Sequence, residues 1–218
     1  MIMAVMRSFK TKALKQTPTQ DILRSIENFH FIFTAVTSQR SSGGISLMYA
    51  MHARQLLAAK DVTTKTKCLH DLKVKLRAKR PSFQEFEDDF LRISYSNTFT
   101  KQKRLVQYIL AKIDANFSGG LPIDYERMTI EHLAPQSPSG KSAQQNAKVG
   151  LIGNLILVDG ALNNKLANKD FSHKVKLLAA SRVWVDPTLA KAKTWDDAEI
   201  EARTKKLASL AYNTIWSL

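Results

Sequence analysis

Apolar residues recur at helical spacing from about residue 20 to residue 117, and the period stops at Ser118-Gly119-Gly120 and Pro122. This change of texture is the strongest constraint on the fold, because a 3.6-residue period buries one face of a helix and nothing else. The stretch that starts at Asp21 carries Ile22, Ile26, Phe29, Phe33 and Val36 along one face, and Ser41-Ser42-Gly43-Gly44 breaks it. A second helix is expected through Leu47, Met48, Met51, Leu56 and Leu57. A third, over about 63 to 79, has Leu69, Leu72 and Leu76 on one side, a dense basic face on the other, and Pro81-Ser82 at its end. Ser82 stands three residues before Glu85, the spacing of a capping box for a short acidic helix. Another helix runs from about 100 to 116 through Leu105, Tyr108, Ile109, Leu110 and Ile113.

Beyond the break, Thr129-Ile130 and Leu155-Ile156-Leu157-Val158 are short β-branched runs bounded by turn residues, which predicts two strands. A polar loop, Ser137-Pro138-Ser139-Gly140-Lys141, lies between them. Asn163 to Asn168 and Phe171 to Ala180 return to helical character. A last helix, about 196 to 216, opens with Asp196-Asp197 at its positive dipole end and buries Ile200, Leu207, Leu210, Ala211 and Ile215. The fold class is mainly α with a small α+β insert. Residues 1–118 are expected to form a basic helical region suited to packing support, and 119–218 a second part that carries the two strands and the C-terminal helix.

Composition narrows the partners. Lys and Arg number 33 against 19 Asp and Glu, a net charge of +14. A surface this positive concentrates polyanions, of which nucleic acid is the commonest inside a cell. Solubility alone, or a basic ribosome-associated or membrane-surface protein, is the blander reading. The single cysteine, Cys68, excludes an internal disulfide and a cysteine-cluster zinc site within one chain. No apolar run approaches the roughly 20 residues that cross a bilayer, and the start, Met1 to Met6, is too short for a secretory signal. A soluble, cytoplasmic protein with no membrane partner is expected.

The informative residues are Glu131-His132-Leu133-Ala134-Pro135-Gln136, Gly153-Asn154-Leu155 and Asn163-Asn164-Lys165-Leu166-Ala167-Asn168. Cutting a phosphodiester needs a base for water, a cation for the charge on phosphate and leaving oxygen, and something that holds the base. A neutral imidazole titrates near the operating pH. A carboxylate with an amide oxygen suits a hard cation such as Mg²⁺, and an asparagine locks a loop while staying uncharged. One geometric obstacle stands: neighbours on a regular strand face opposite ways, so Glu131 and His132 share a site only if the strand ends or bulges there. Each motif alone also has a structural explanation. Asn163 and Asn164 are good helix caps and Asn168 a good helix end, while His30, His52, His70 and His173 lie in helical patterns and read as packing or surface residues.

Taken together, these segments resemble the C-terminal nuclease domain of GmrSD-type modification-dependent restriction endonucleases, a branch of the HNH (ββα-metal, His-Me finger) superfamily. The resemblance rests on Ile130-Glu131-His132-Leu133-Ala134-Pro135-Gln136, Gly153-Asn154-Leu155-Ile156-Leu157, Asn163, Asn168-Lys169-Asp170-Phe171-Ser172-His173-Lys174, and the late Trp195 and Trp216. It covers about 122 to 218, and the stretch Phe29 to Leu57 is similar to the family's region just upstream. Ile156 stands where Thr is frequent and Ala134 where a larger residue is frequent. The resemblance implies a ββα-metal core carried on a helical bundle, with His132 as general base and Asn154 bracing the loop beside it. It implies a divalent cation, Mg²⁺ or Mn²⁺, on Glu131 and on Asn163, which stands nine positions after Asn154. Asn164 and Asn168 compete with Asn163 for that role. Lys174 is a candidate phosphate contact or a solvated lysine.

The run Lys65, Lys67, Lys73, Lys75, Arg77, Lys79 and Arg80 is either a solvated helix face or a track for DNA phosphates. The loop Gln39-Arg40-Ser41-Ser42-Gly43-Gly44 is either a turn or an approach to the DNA backbone. The resemblance implies an upstream or separate nucleotide-hydrolysing half that senses modified DNA, and no P-loop pattern occurs in this chain. The leading expectation is therefore a metal-dependent DNA endonuclease, the effector part of a restriction and antiviral defence system. A basic nucleic-acid-binding module with a degenerate nuclease site, and an RNA-directed HNH nuclease, are the alternatives.

Overall fold

A computed structural model of the chain describes residues 1–39, 43–118, 124–136, 148–181, 183 and 185–218. The loop considered for DNA approach at Gln39 to Gly44, the break at Ser118 to Pro122, and the polar loop Ser137 to Lys141 lie partly or wholly outside these residues. The chain divides into two compact units, Met1–Phe86 with Trp216–Leu218, and Glu87–Ile215.

The first unit is helical. Helix α1 (Ile2–Lys10) was not anticipated from the short apolar start, yet it buries Ala4, Val5 and Ser8 on one stripe. Helix α2 (Gln16–His30) begins ahead of Asp21 because Thr19 already faces inward with Ile22, Ile26 and Phe29. It runs on into a π turn, Phe31–Val36. The wider turn brings Phe31 and Ile32 into the interior together, and the Thr37 hydroxyl closes it on the Ile32 carbonyl at 3.0 Å. Phe31 stacks on Trp216 with ring centroids 3.7 Å apart.

In α3 (Gly43–Ala58) the buried stripe is Ile45, Met48, His52 and Leu56. Leu47 and Leu57, expected on that face, are exposed. Helix α4 (Val62–Ala78) is capped by Asp61, whose carboxylate accepts the Thr64 N–H at 2.8 Å, and it buries Cys68, Leu69, Leu72 and Leu76. These side chains, with Ala4, Val5, Leu14, Ile22 and Phe29, make one core. The expected capping box opens α5 (Phe83–Phe90): Ser82 N–H donates to Glu85 at 2.8 Å, and Glu85 N–H donates to the Ser82 hydroxyl at 3.3 Å.

In the second unit, α6 (Lys103–Phe117) precedes a 3-10 turn at Tyr125–Arg127 and strand β1 (Thr129–His132). A second 3-10 turn, Ile152–Asn154, leads into β2 (Leu155–Val158), then α7 (Gly160–Leu166), α8 (Phe171–Ala179), α9 (Pro187–Lys191) and α10 (Asp197–Leu210), which ends in a π turn at Ala211–Ile215. The two strands form an antiparallel sheet, with Thr129 opposite Val158, Ile130 opposite Leu157, Glu131 opposite Ile156 and His132 opposite Leu155. All four residues of β2 are buried, as a continuous apolar run covered on both faces must be. Ile156 and Val158 pack with Leu162 and Leu166 of α7, Leu178 of α8, Leu189, Trp195 and Ile200. Among the described residues no helix is long and apolar enough to cross a membrane.

Helix α10 presses directly on the turn before β2. A Cβ built on Gly153 meets the Ile200 carbonyl and the Thr204 hydroxyl, and lies 2.8 Å from the Thr204 backbone nitrogen. Two of those three atoms are backbone and cannot rotate away. Gly153→Ala is therefore expected to lower stability by about 3 kcal/mol or more, at the upper end of overpacking effects. Denaturant unfolding of the variant checks this, and a change below about 1 kcal/mol would show that α10 yields.

Candidate active site

The alternation of β1 decides where each side chain goes. Thr129 and Glu131 share one face, and Ile130 and His132 share the other. Because Ile156 and Val158 oppose Glu131 and Thr129, the Glu131 face is the one covered by α7 and α8. His132 is turned away from it.

His132 is 6% exposed and held at both ring nitrogens. Its Nε2 lies 3.0 Å from the Tyr95 main-chain oxygen, and its Nδ1 lies 3.2 Å from the Gln136 side-chain nitrogen. The Gln136 oxygen in turn accepts the Asn97 N–H at 2.8 Å. These polarities close in only one way. A carbonyl oxygen accepts, so the ring proton sits on Nε2; a backbone N–H donates, so Gln136 presents its amide nitrogen to Nδ1. The neutral ring thus carries its lone pair on Nδ1. Burial pushes the His132 pKa below its ordinary value; the Tyr95 carbonyl opposes this and the Lys174 charge adds to it.

The segment that supplies these partners is tied to the hairpin through main-chain bonds. Ile152 N–H donates to Ile93 O at 3.1 Å, and Tyr95 N–H donates to Gly150 O at 2.8 Å. Sequence reading missed Tyr95 and Asn97, because both act through backbone atoms and leave no side-chain signature.

Asn154 has no exposed surface and uses its whole carboxamide. The oxygen accepts Ala134 N–H at 2.8 Å and Trp195 Nε1–H at 3.0 Å. The nitrogen donates to Ala134 O at 3.0 Å and Val149 O at 2.7 Å. Trp195 is itself fixed by stacking on Phe171, with centroids 4.9 Å apart. From the other side, buried Arg203 of α10 donates to Gly153 O at 2.7 Å, Leu155 O at 3.0 Å and the Asp186 carboxylate at 2.7 Å. Arg203 and Asp186 were also missed, since one arginine among many basic residues carries no mark of burial.

Glu131 is buried and paired with Lys174 of α8, the ammonium lying 2.6 Å from its carboxylate and 2.6 Å from the His132 carbonyl. Burial pushes the Glu131 carboxyl above the ordinary glutamate value, while the Lys174 hydrogen bond and charge pull it down. Lys174, expected from the sequence as a phosphate contact or a solvated lysine, is 1% exposed and is neither solvated nor open to a phosphate.

Asn163 lies on the Glu131 side, its amide nitrogen donating to the Thr129 hydroxyl at 2.6 Å. Asn164 and Asn168 are exposed. The caps are other residues: Asp159 opens α7 through the Leu162 N–H at 2.7 Å, and Ala167, with φ 41°, ends it. The structure thus brings Glu131, Lys174 and Asn163 to one face of β1, and sets His132 on the other.

Whether these residues fit a divalent cation follows from their partners. The Asn163 amide nitrogen is turned to Thr129, which leaves the carbonyl oxygen, a hard donor, on the opposite side. Glu131 does not fit as it stands. A cation on the same carboxylate oxygen would have to displace the Lys174 ammonium, which lies 2.6 Å from it and is buried with it. Glu131 and Asn163 as a pair therefore do not fit one cation.

The basic run is divided. Lys65 is buried and donates to Leu56 O at 2.7 Å, and Lys73 pairs with Asp21 at 2.8 Å. Lys67, Lys75, Arg77 and Lys79 are exposed, and Arg80 is partly so.

The family model for the C-terminal domain of GmrSD restriction endonucleases matches residues 80–210. This span holds every motif residue from Glu131 to Trp195 and begins after the stretch Phe29 to Leu57. No curated protein is significantly similar to the chain.

The geometry makes Asn154 irreplaceable by its isostere. Asn154→Asp loses both donated bonds and turns a carboxylate on two carbonyls, so a loss of about 3 kcal/mol is expected. Thermal and denaturant unfolding measure it, and a near-neutral effect would contradict the bracing role.

Proposed function

We propose, from the premise that this chain belongs to the family of the GmrSD restriction endonuclease C-terminal domain, that it is a DNA endonuclease with His132 as general base. Restriction defines DNA as the substrate class, and action on foreign or modified DNA, in a defence system with a nucleotide-hydrolysing sensor half as partner, completes the reading. The observation that carries it is the tautomer. A main-chain carbonyl holds the proton on Nε2 and leaves Nδ1 as the acceptor.

In the reaction, Nδ1 takes a proton from water and the oxygen so generated attacks phosphorus; the bond from phosphorus to the 3′ or 5′ oxygen breaks, and that oxygen leaves with the bonding pair and takes a proton from solvent. The imidazolium that forms donates a charge-assisted bond from Nε2 to the Tyr95 carbonyl, which strengthens as charge develops. Depressed basicity keeps the resting ring neutral and ready to accept. Gln136 occupies Nδ1 in the resting protein and has to yield that position to the water. Asn154 keeps the chain after His132 from shifting, without adding a charge near the phosphate. Lys67, Lys75, Arg77 and Lys79, being exposed, are the members of the basic run suited to phosphate contact. A divalent cation, if it acts, neutralises charge on the phosphate and the leaving oxygen, with the Asn163 oxygen as the suitable protein donor.

One observation favours a second reading, a nucleic-acid-binding module with a silent nuclease site. His132 is buried and both of its nitrogens are engaged. Supercoiled-plasmid cleavage separates the two. The nuclease reading expects nicking or cutting by the parent with Mg²⁺ or Mn²⁺, and a fall of about 10²–10⁴ in His132→Ala, the usual share of a general base. Equal cutting by the variant would refute the assignment, and strong, salt-dependent DNA binding without cutting would favour the binding module.

The rate also has a predicted pH course. Because the folded pKa of His132 lies below the ordinary 6.5, the base form persists to lower pH. The acid limb of the single-turnover rate should be centred below 6.5. An acid limb centred above that value would contradict the role of burial.

A further inference from the structure

Lys174 is 1% exposed, and the cleavage reading gives it no task. Its position is firmly set. Asp170 caps α8 through the His173 N–H at 2.9 Å, and Phe171 is stacked on Trp195. From that helix the ammonium reaches a carboxylate oxygen of Glu131 and the main-chain oxygen of His132, both at 2.6 Å. One carboxylate oxygen and one carbonyl oxygen make the kind of hard-oxygen donor set that a small cation takes. Here a cation tethered to the chain has taken it.

We propose that Lys174 is the standing counter-ion of Glu131, filling the place that the family resemblance gives to a divalent metal, and that it positions the end of β1 from which His132 departs. Three observations converge on this. The ammonium and the carboxylate are both buried, so each would be left uncompensated without the other. The second donated bond goes to the carbonyl of His132 itself, at the point where the strand must hold its pleat for the ring to face Tyr95. Asn163 uses its amide nitrogen on Thr129, which leaves it one carbonyl oxygen, while the carboxylate expected beside it is already paired with Lys174. Any divalent cation the reaction uses is then not held by Glu131. The consequence for cutting rests on the reading of His132 as the base; the charge assignment does not.

The test uses thermal unfolding of the whole chain, in EDTA and in millimolar Mn²⁺, for the parent, Lys174→Met and the double variant Glu131→Gln/Lys174→Met. The parent is expected to melt at the same temperature in both. Lys174→Met should melt lower in EDTA and recover by about 5–10 °C in Mn²⁺, the size expected when an ion at about a hundred times its Kd binds a domain of this length. The double variant, with no carboxylate to attract the ion, should not respond. Failure of Mn²⁺ to raise Lys174→Met, or an equal rise in the double variant or the parent, would overturn the proposal. If Lys174→Met folds under neither condition, the parent decides. The ¹⁵N-detected ammonium resonance of Lys174 should be unmoved by millimolar Mg²⁺, and a displaced resonance would show the metal taking its carboxylate. None of these readouts involves DNA, so a chain that proved unable to cut would leave them unaffected.

Discussion

The carboxamide of Asn154 joins three parts of the chain at one buried point. It holds the residues after His132 through Ala134, the approach to the second strand through Val149, and the late indole of Trp195. A carboxamide alone offers two donors and two acceptors in one plane, and here all four are used inside a site closed to water. Bonds of this kind each add about 1 kcal/mol when made and are more expensive to leave unmade. The turn that carries Asn154 is clamped from behind by Arg203 and Thr204, with Gly153 giving α10 the room to approach. Without this joint the sheet would still pair, but the chain after His132 would keep only the Leu133 N–H bond to the Asn154 main-chain oxygen and the contacts of Gln136.

Given that joint, chemistry divides between the two faces of a four-residue strand. On one face a carbonyl that can only accept holds the ring proton on Nε2, which leaves Nδ1 as the acceptor by position rather than through a neighbouring carboxylate. On the other, an acid and an ammonium neutralise each other out of solvent. The separation keeps the carboxylate from raising the basicity of the imidazole, consistent with the downward shift of the His132 pKa.

Much of this was legible in the sequence where side chains carry the signal. The β-branched run 155–158 and the Gly-Asn that precedes it announced the second strand and its entry, and apolar spacing placed α4 and α10 closely. The alternation rule raised the obstacle that Glu131 and His132 should part, and they do, because β1 runs regularly through His132. What stayed hidden acts through backbone or through burial of charge. Tyr95 contributes a carbonyl, which any residue has. Lys65, Lys174 and Arg203 are indistinguishable by type from the solvated lysines and arginines that give the chain its +14, yet each is buried with its charge or donors satisfied. The π turns Phe31–Val36 and Ala211–Ile215 are wider than an α-turn and shift the helical period, which a 3.6-residue count does not register.

The general-base role of His132 depends on where the imidazole proton resides. Long-range ¹H–¹⁵N correlation of histidine-labelled protein, at a pH where the ring is neutral, reads this directly for His132. The structure requires the proton on Nε2 and a bare Nδ1. A proton found on Nδ1 would mean that the Tyr95 carbonyl does not orient the ring, and would remove the basis for His132 as the base that activates water.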